Sequence, residues 1–233
     1  MRLGLQYGLW ALGFILQVLV LRALLRGPAK RYPLLLAYTI ALFFSTITEI
    51  AAHSTGSLAR LWKLYWIDDA ILQALLFAVV ISLIHQAMAT ARARASRQRQ
   101  LVVAAFLLFA LLFAVHAGPV EKMNAWMTLI SRDLSFAAVV LDLVLWTTLV
   151  ASRTKNQELL MLSGGLGIQF AGAAIGQSIR QLTLRTSPEF RWVALAGSML
   201  VVISHFICLY VWWQTFRRAQ LKDDAAGRQA AHQ

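Results

Sequence analysis

The sequence predicts an all-α, polytopic integral membrane protein: seven transmembrane helices in one bundle, with the N-terminus outside and the C-terminus cytoplasmic. Three observations carry that expectation. The 233 residues are 59% apolar and only 14% charged, with a mean hydropathy of +0.64; a soluble domain is nearer half apolar and a quarter charged. The apolar residues come in blocks of about 20, the length needed to cross a bilayer core. The Lys and Arg residues between the blocks are unevenly shared: 14 of the 22 fall on one side and eight on the other. The richer side is read as cytoplasmic.

Taken in order, the first segment runs from about Leu3 to Leu25. A signal peptide is not expected there, because the apolar run is too long and no small-x-small cleavage site follows. Gly27 and Pro28 end this segment, and Pro33 suits the first turn of the next. The second segment runs from about Pro33 to Ala52, with a turn at HSTGS, residues 53–57. The third, about Leu64 to Met88, orients the chain. Its front end is aromatic and acidic (Trp62, Trp66, Asp68, Asp69), and the basic TARARASRQRQ follows its back end. The fourth runs from about Leu101 to Ala117, the fifth from Trp126 to Ala151, the sixth from Gln157 to Gln181 and the seventh from Arg191 to Phe216. Residues 1–216 are thus expected to form one bundle and 217–233 a short, disordered cytoplasmic tail. An outside start and an inside end require an odd number of crossings, which seven satisfies.

Composition and motifs exclude several functions. The net charge of +12 is explained by cations at cytoplasmic helix ends, so no nucleic-acid partner is expected. Cys208 is the only cysteine, which removes disulfides and cysteine-based metal sites within one chain. There is no HExxH and no GxSxG. The seventh segment has no lysine for a retinal Schiff base. His53 and His116 share a predicted depth, but polar packing is preferred to a bis-His haem, so no cofactor or metal is expected. The chain is read as not an enzyme.

Two constellations carry candidate chemistry. At the outer level lie Glu49, His53, Trp66, Asp68, Asp69, Gln73, Arg132, Asp133 and Arg180. Trp66, Asp69 and Gln73 recur at helical spacing on one stripe. This set reads either as a vestibule that binds a small ligand, a cation among the candidates, or passes protons, or as charges that pair and cap helices at the interface. Asp142 is harder to dismiss, because AVVLDLVLW surrounds it with apolar residues. An ionised Asp at the bilayer centre costs about 2.5–3.5 kcal/mol on insertion scales. Ser131, Ser135, Asp142 and Trp146 share one face, which is then expected to turn inward. At similar depth Gln169 and His205 complete an expected polar core, either a proton relay or a hydrogen-bonded clamp. On the sixth segment Gly165, Gly172 and Gly176 fall on one stripe with Gln169, and GxxxG spacing suits close helix packing.

The segments RYP (Arg31 to Pro33), YWID (Tyr65 to Asp68) and GGLGIQF (Gly164 to Phe170) resemble those of seven-helix bacterial inner-membrane proteins of unknown function. In outline the chain is also similar to the seven-helix sensor modules that precede histidine kinases and cyclases. These resemblances imply a multi-pass inner-membrane location and a ligand-sensing or signalling-partner role. The lipid bilayer, a small ligand from the outer side and a protein partner at the basic inner loops are the expected partners. A small proton-coupled carrier and a non-catalytic subunit of a membrane complex are the alternatives.

Overall fold

The computed structural model describes residues 2–55, 58–90, 123–151, 156–184 and 191–230. Among them there are six α-helices and no strand: α1 (Arg2–Leu25), α2 (Pro33–Thr55), α3 (Leu58–Thr90), α4 (Met123–Ala151), α5 (Gln157–Leu184) and α6 (Arg191–Ala230). Four are long and apolar enough to cross a membrane, through Gly8–Leu25, Pro33–Ala51, Gln157–Arg180 and Trp192–Leu221. Shorter apolar stretches occupy Ile71–Ala87 in α3 and Ser135–Thr147 in α4. The expected fourth segment, 101–117, lies outside the described residues.

Local chemistry explains the breaks. The Gly27 and Arg26 amides close the end of α1 on the Leu24 and Arg22 carbonyls. A 3-10 turn follows at Pro28–Lys30, where the Arg31 and Tyr32 amides both reach back to the Pro28 carbonyl. Pro33 then opens α2, where its missing N–H costs nothing. At the start of α5 the Asn156 side chain accepts from the Leu159 amide at 3.4 Å, an N-cap, and Glu158 adds a negative charge to the positive helix end.

Two boundaries differ from the sequence reading. Residues 53–55 of the expected turn HSTGS belong to α2. The last helix does not stop at Phe216 but continues to Ala230, where a disordered tail was expected. RRAQLKDDAAGRQA is charged enough to read as a tail, yet it is rich in Ala, Arg, Gln and Lys and lacks proline, so it sustains a helix.

The chain also divides into two compact units where one bundle was expected. The first comprises residues 1–79 and 209–233, and the second residues 80–208. In the first unit α1 and α2 pack along each other, with Phe14 and Phe43 5.0 Å apart. The C-terminal part of α6 joins them through Tyr32 against Phe216 and Tyr38 edge-on to Trp212, both at 6.0 Å. Tyr32, Leu24, Leu35, Trp212 and Phe216 are fully buried there. In the second unit α4 and α5 pack along their length. Leu145 and Leu149 of α4 are buried, as are Leu159, Leu162 and Leu166 of α5.

The core is mainly apolar, yet several polar side chains lie inside it and many large apolar ones lie outside. Gln17, Thr39, Ser135, Asp142, Ser163, Ser204 and Thr215 are buried, while Phe44, Phe136, Val140, Leu143, Ile175 and Ile203 are exposed. Exposed apolar side chains beside interior polar ones suit a hydrocarbon solvent.

Candidate functional site

The second unit holds the strongest candidate. On α4 the inward stripe is Ser135, Ala138, Asp142, Leu145 and Leu149, all buried, at the three- and four-residue steps of one helix face. Trp146, expected to share that face, is instead 47% exposed. It lies 40° around the helix from Asp142 at 100° per residue, on the outward side of the stripe. The side chain of Ser131 is outside the described set.

Asp142 is only 6% exposed. Its Oδ1 accepts a hydrogen bond from Ser163 Oγ on α5 at 2.9 Å. One turn further along α5, Gly167 faces the other oxygen: a Cβ at that position would stand 2.7 Å from Asp142 Oδ2. Ser163 and Gly167 are therefore an i, i+4 pair that seats the carboxyl, the serine by donating and the glycine by making room. Asp142 draws its partners from this pair, not from the expected Gln169 and His205. Gln169 lies six residues beyond Ser163, about 120° around α5 from it. The His205 ring lies 6.4 Å from its own neighbour Phe206.

The opposite face of α5 packs on α6. Gly165, Gly172 and Gly176 are buried along it. A Cβ on Gly172 would collide with Ser204, whose hydroxyl turns back to the Val201 carbonyl. A Cβ on Gly176 would stand 2.5 Å from both the Gly197 carbonyl oxygen and Val201 Cγ2. Gly197 in turn would place a Cβ 2.8 Å from the Gly176 carbonyl oxygen. Backbone meets backbone here with no side chain between, as small residues allow in a membrane. By contrast, nothing lies within 4 Å of a Cβ on Gly164. One helix thus holds Asp142 on one side and grips α6 on the other.

The outer constellation is only partly described. Asp68 is half-buried and accepts from Ser45 Oγ, which ties α3 to α2 within the first unit. Gln73 is half-buried and Glu49 exposed in the same unit. Asp133 and Arg180 are half-buried and belong to the second unit. The side chains of His53, Trp66, Asp69 and Arg132 lie outside the described residues, as does His116. No group of three metal-ligating side chains forms among the described residues.

Sequence reasoning missed Ser163, Gly167 and Gly197. The signal was present, because Ser163-x-x-x-Gly167 repeats the small-x-x-x-small spacing on the face of α5 opposite the recognised stripe.

The first unit also hides an unexpected polar pair. Gln17, 3% exposed, donates from Nε2 to Thr46 Oγ1 at 3.0 Å, and its Oε1 is buried without a hydrogen bond. Thr46 spends its own proton on the Leu42 carbonyl at 3.0 Å.

No protein-family model, curated protein or solved structure matches this chain.

Proposed function

We propose that the chain is a multi-pass protein of the cell inner membrane that responds to a small ligand. Asp142 is the responding group. The protein reports to a partner through its basic inner loops. The observation that supports this reading most is the seat of Asp142. A carboxyl group in an apolar helix is held by one hydroxyl on one oxygen and faces a glycine on the other. The hydrogen bond from Ser163 occupies one carboxyl oxygen, and the other lies against the Gly167 backbone, so that oxygen is the one offered to a proton or to a ligand's donor. Ionisable residues inside a membrane segment are costly enough that a working role is the default explanation.

The test is a thermal-unfolding screen of the purified full chain with a panel of small organic ammonium ions. Stabilisation by at least one of them, lost in Asp142→Asn while the variant still folds, is the expected result. An unresponsive wild type, or a variant that responds equally, contradicts the reading.

A second reading, a proton-coupled carrier, draws on the two faces of α5. Any shift of Asp142 on proton uptake bears on α5 at Ser163 and Gly167, and α5 is locked to α6 through Gly172, Gly176 and Gly197. In that case the α5–α6 pair moves as one body, and Asp142→Asn abolishes uptake of the same ammonium ions driven by a pH gradient in vesicles.

A further inference from the structure

Six cations gather at one end of the first unit. Arg22 and Arg26 close α1, Lys30 and Arg31 form the turn into α2, and Arg217 and Arg218 extend α6; all six are exposed. The positive-inside rule accounts for their side of the membrane but not for their assembly from three separate chain segments. Specific contacts do that. Tyr32 packs on Phe216, which brings the neighbouring Arg31 and Arg217 to one junction. Each of these two guanidiniums lies 5.3 Å from the centre of an aromatic ring, Arg31 over Tyr32 and Arg217 over Trp213. The Trp213 ring is itself flanked by Tyr210 at 5.8 Å. Gln220 Nε2 then donates to the Ala23 carbonyl oxygen at 2.8 Å, across 197 residues of sequence. That carbonyl is one of the last in α1, which has no partner within the helix. The bond pins the α6 extension to the end of α1, beside Arg22 and Arg26.

A guanidinium held over a ring has already lost much of its freedom. Planar donors in a fixed fork match phosphate oxygens. The nearest acids in sequence are Asp223 and Asp224, which follow on α6, and even with both counted the six cations remain in clear excess. The apolar span of α6 reaches Leu221, so the cluster sits where the hydrocarbon gives way to headgroups.

We propose that this cluster, centred on Arg31 and Arg217, is a binding site for the headgroup of an anionic phospholipid. The attraction is electrostatic with a bidentate phosphate contact, and the acyl chains lie against the exposed apolar faces beside it.

The experiment is a thermal-unfolding titration of the delipidated full chain with short-chain phosphatidylglycerol, and with phosphatidylcholine of the same chain length. Saturable stabilisation by the anionic lipid alone, weakened as salt is raised, is expected. Arg31→Gln with Arg217→Gln should raise the apparent Kd by roughly fivefold for each charge removed. Should that pair fail to fold, Arg26→Gln with Lys30→Gln must weaken binding by a comparable factor, and Arg180→Gln in the second unit must leave it unchanged. Equal stabilisation by the two lipids, or wild-type affinity in the folded variants, overturns the proposal. So does saturation by inorganic phosphate at the same concentration, which would make the site one for a free anion.

Discussion

Asp142 and Gln17 show how differently two interior polar residues are treated. Asp142 has a donor built for it, and Ser163→Ala removes that donor. The loss should destabilise the protein by about 1 kcal/mol if the bond behaves as interhelical hydrogen bonds in membranes generally do, and by up to about 3 kcal/mol if the carboxyl is left stranded. Equilibrium unfolding in mixed micelles reads this directly. Gln17 is the reverse case. Its carbonyl oxygen is buried without a bond, and its only side-chain partner among the described residues, Thr46, has a second bond to fall back on. Gln17→Leu should therefore stabilise the fold by about 1–3 kcal/mol. A destabilised Gln17→Leu would mean that something occupies that oxygen in the native membrane. Asp142 stood out in the sequence because charge in an apolar run is conspicuous. Ser163 and Thr46 did not, because a hydroxyl amid leucines is unremarkable until the facing helix is known.

At the scale of elements, α5 is the informative helix. Gly176→Leu puts a side chain where the Gly197 carbonyl and Val201 already stand, and backbone cannot swing aside as a flexible side chain can. The expected cost is about 1–3 kcal/mol or more, the range for overpacking. Gly164→Ala is the matched control: the space is open, and helix propensity should leave stability unchanged or up to about 1 kcal/mol better. The two variants together separate close packing from a mere surplus of glycine. The spacing of Gly172 and Gly176 was readable from sequence, since both fall on one face at any helical pitch near 3.6. Their partner Gly197 was not, because a single glycine in ALAGSML has no periodicity of its own. The second face, Ser163 with Gly167, was hidden by reading the glycine-rich run as one stripe. The continuation of α6 to Ala230 was masked in a similar way, by charge that suggests a tail and composition that favours a helix.

At the scale of the whole molecule, the apolar blocks made the helical class and the membrane setting legible, and the described helices agree with both. The division into two units was not legible, because block lengths carry no information about which helix packs on which. What most needs testing is the apolar outer face, with Asp142 and Ser135 turned inward and Phe136, Val140 and Leu143 turned out. Cys208 is the only cysteine, so its replacement by Ser gives a background for single spin labels. In that background, labels at Val140, 58% exposed, and at Ala138, 2% exposed, should be compared in bilayer vesicles by their collision with oxygen and with a water-soluble nickel chelate. Strong oxygen collision at 140, little at 138, and none with the nickel chelate at either is the expected result. A label at 140 that meets the nickel chelate as freely as oxygen would place that face in water and contradict it.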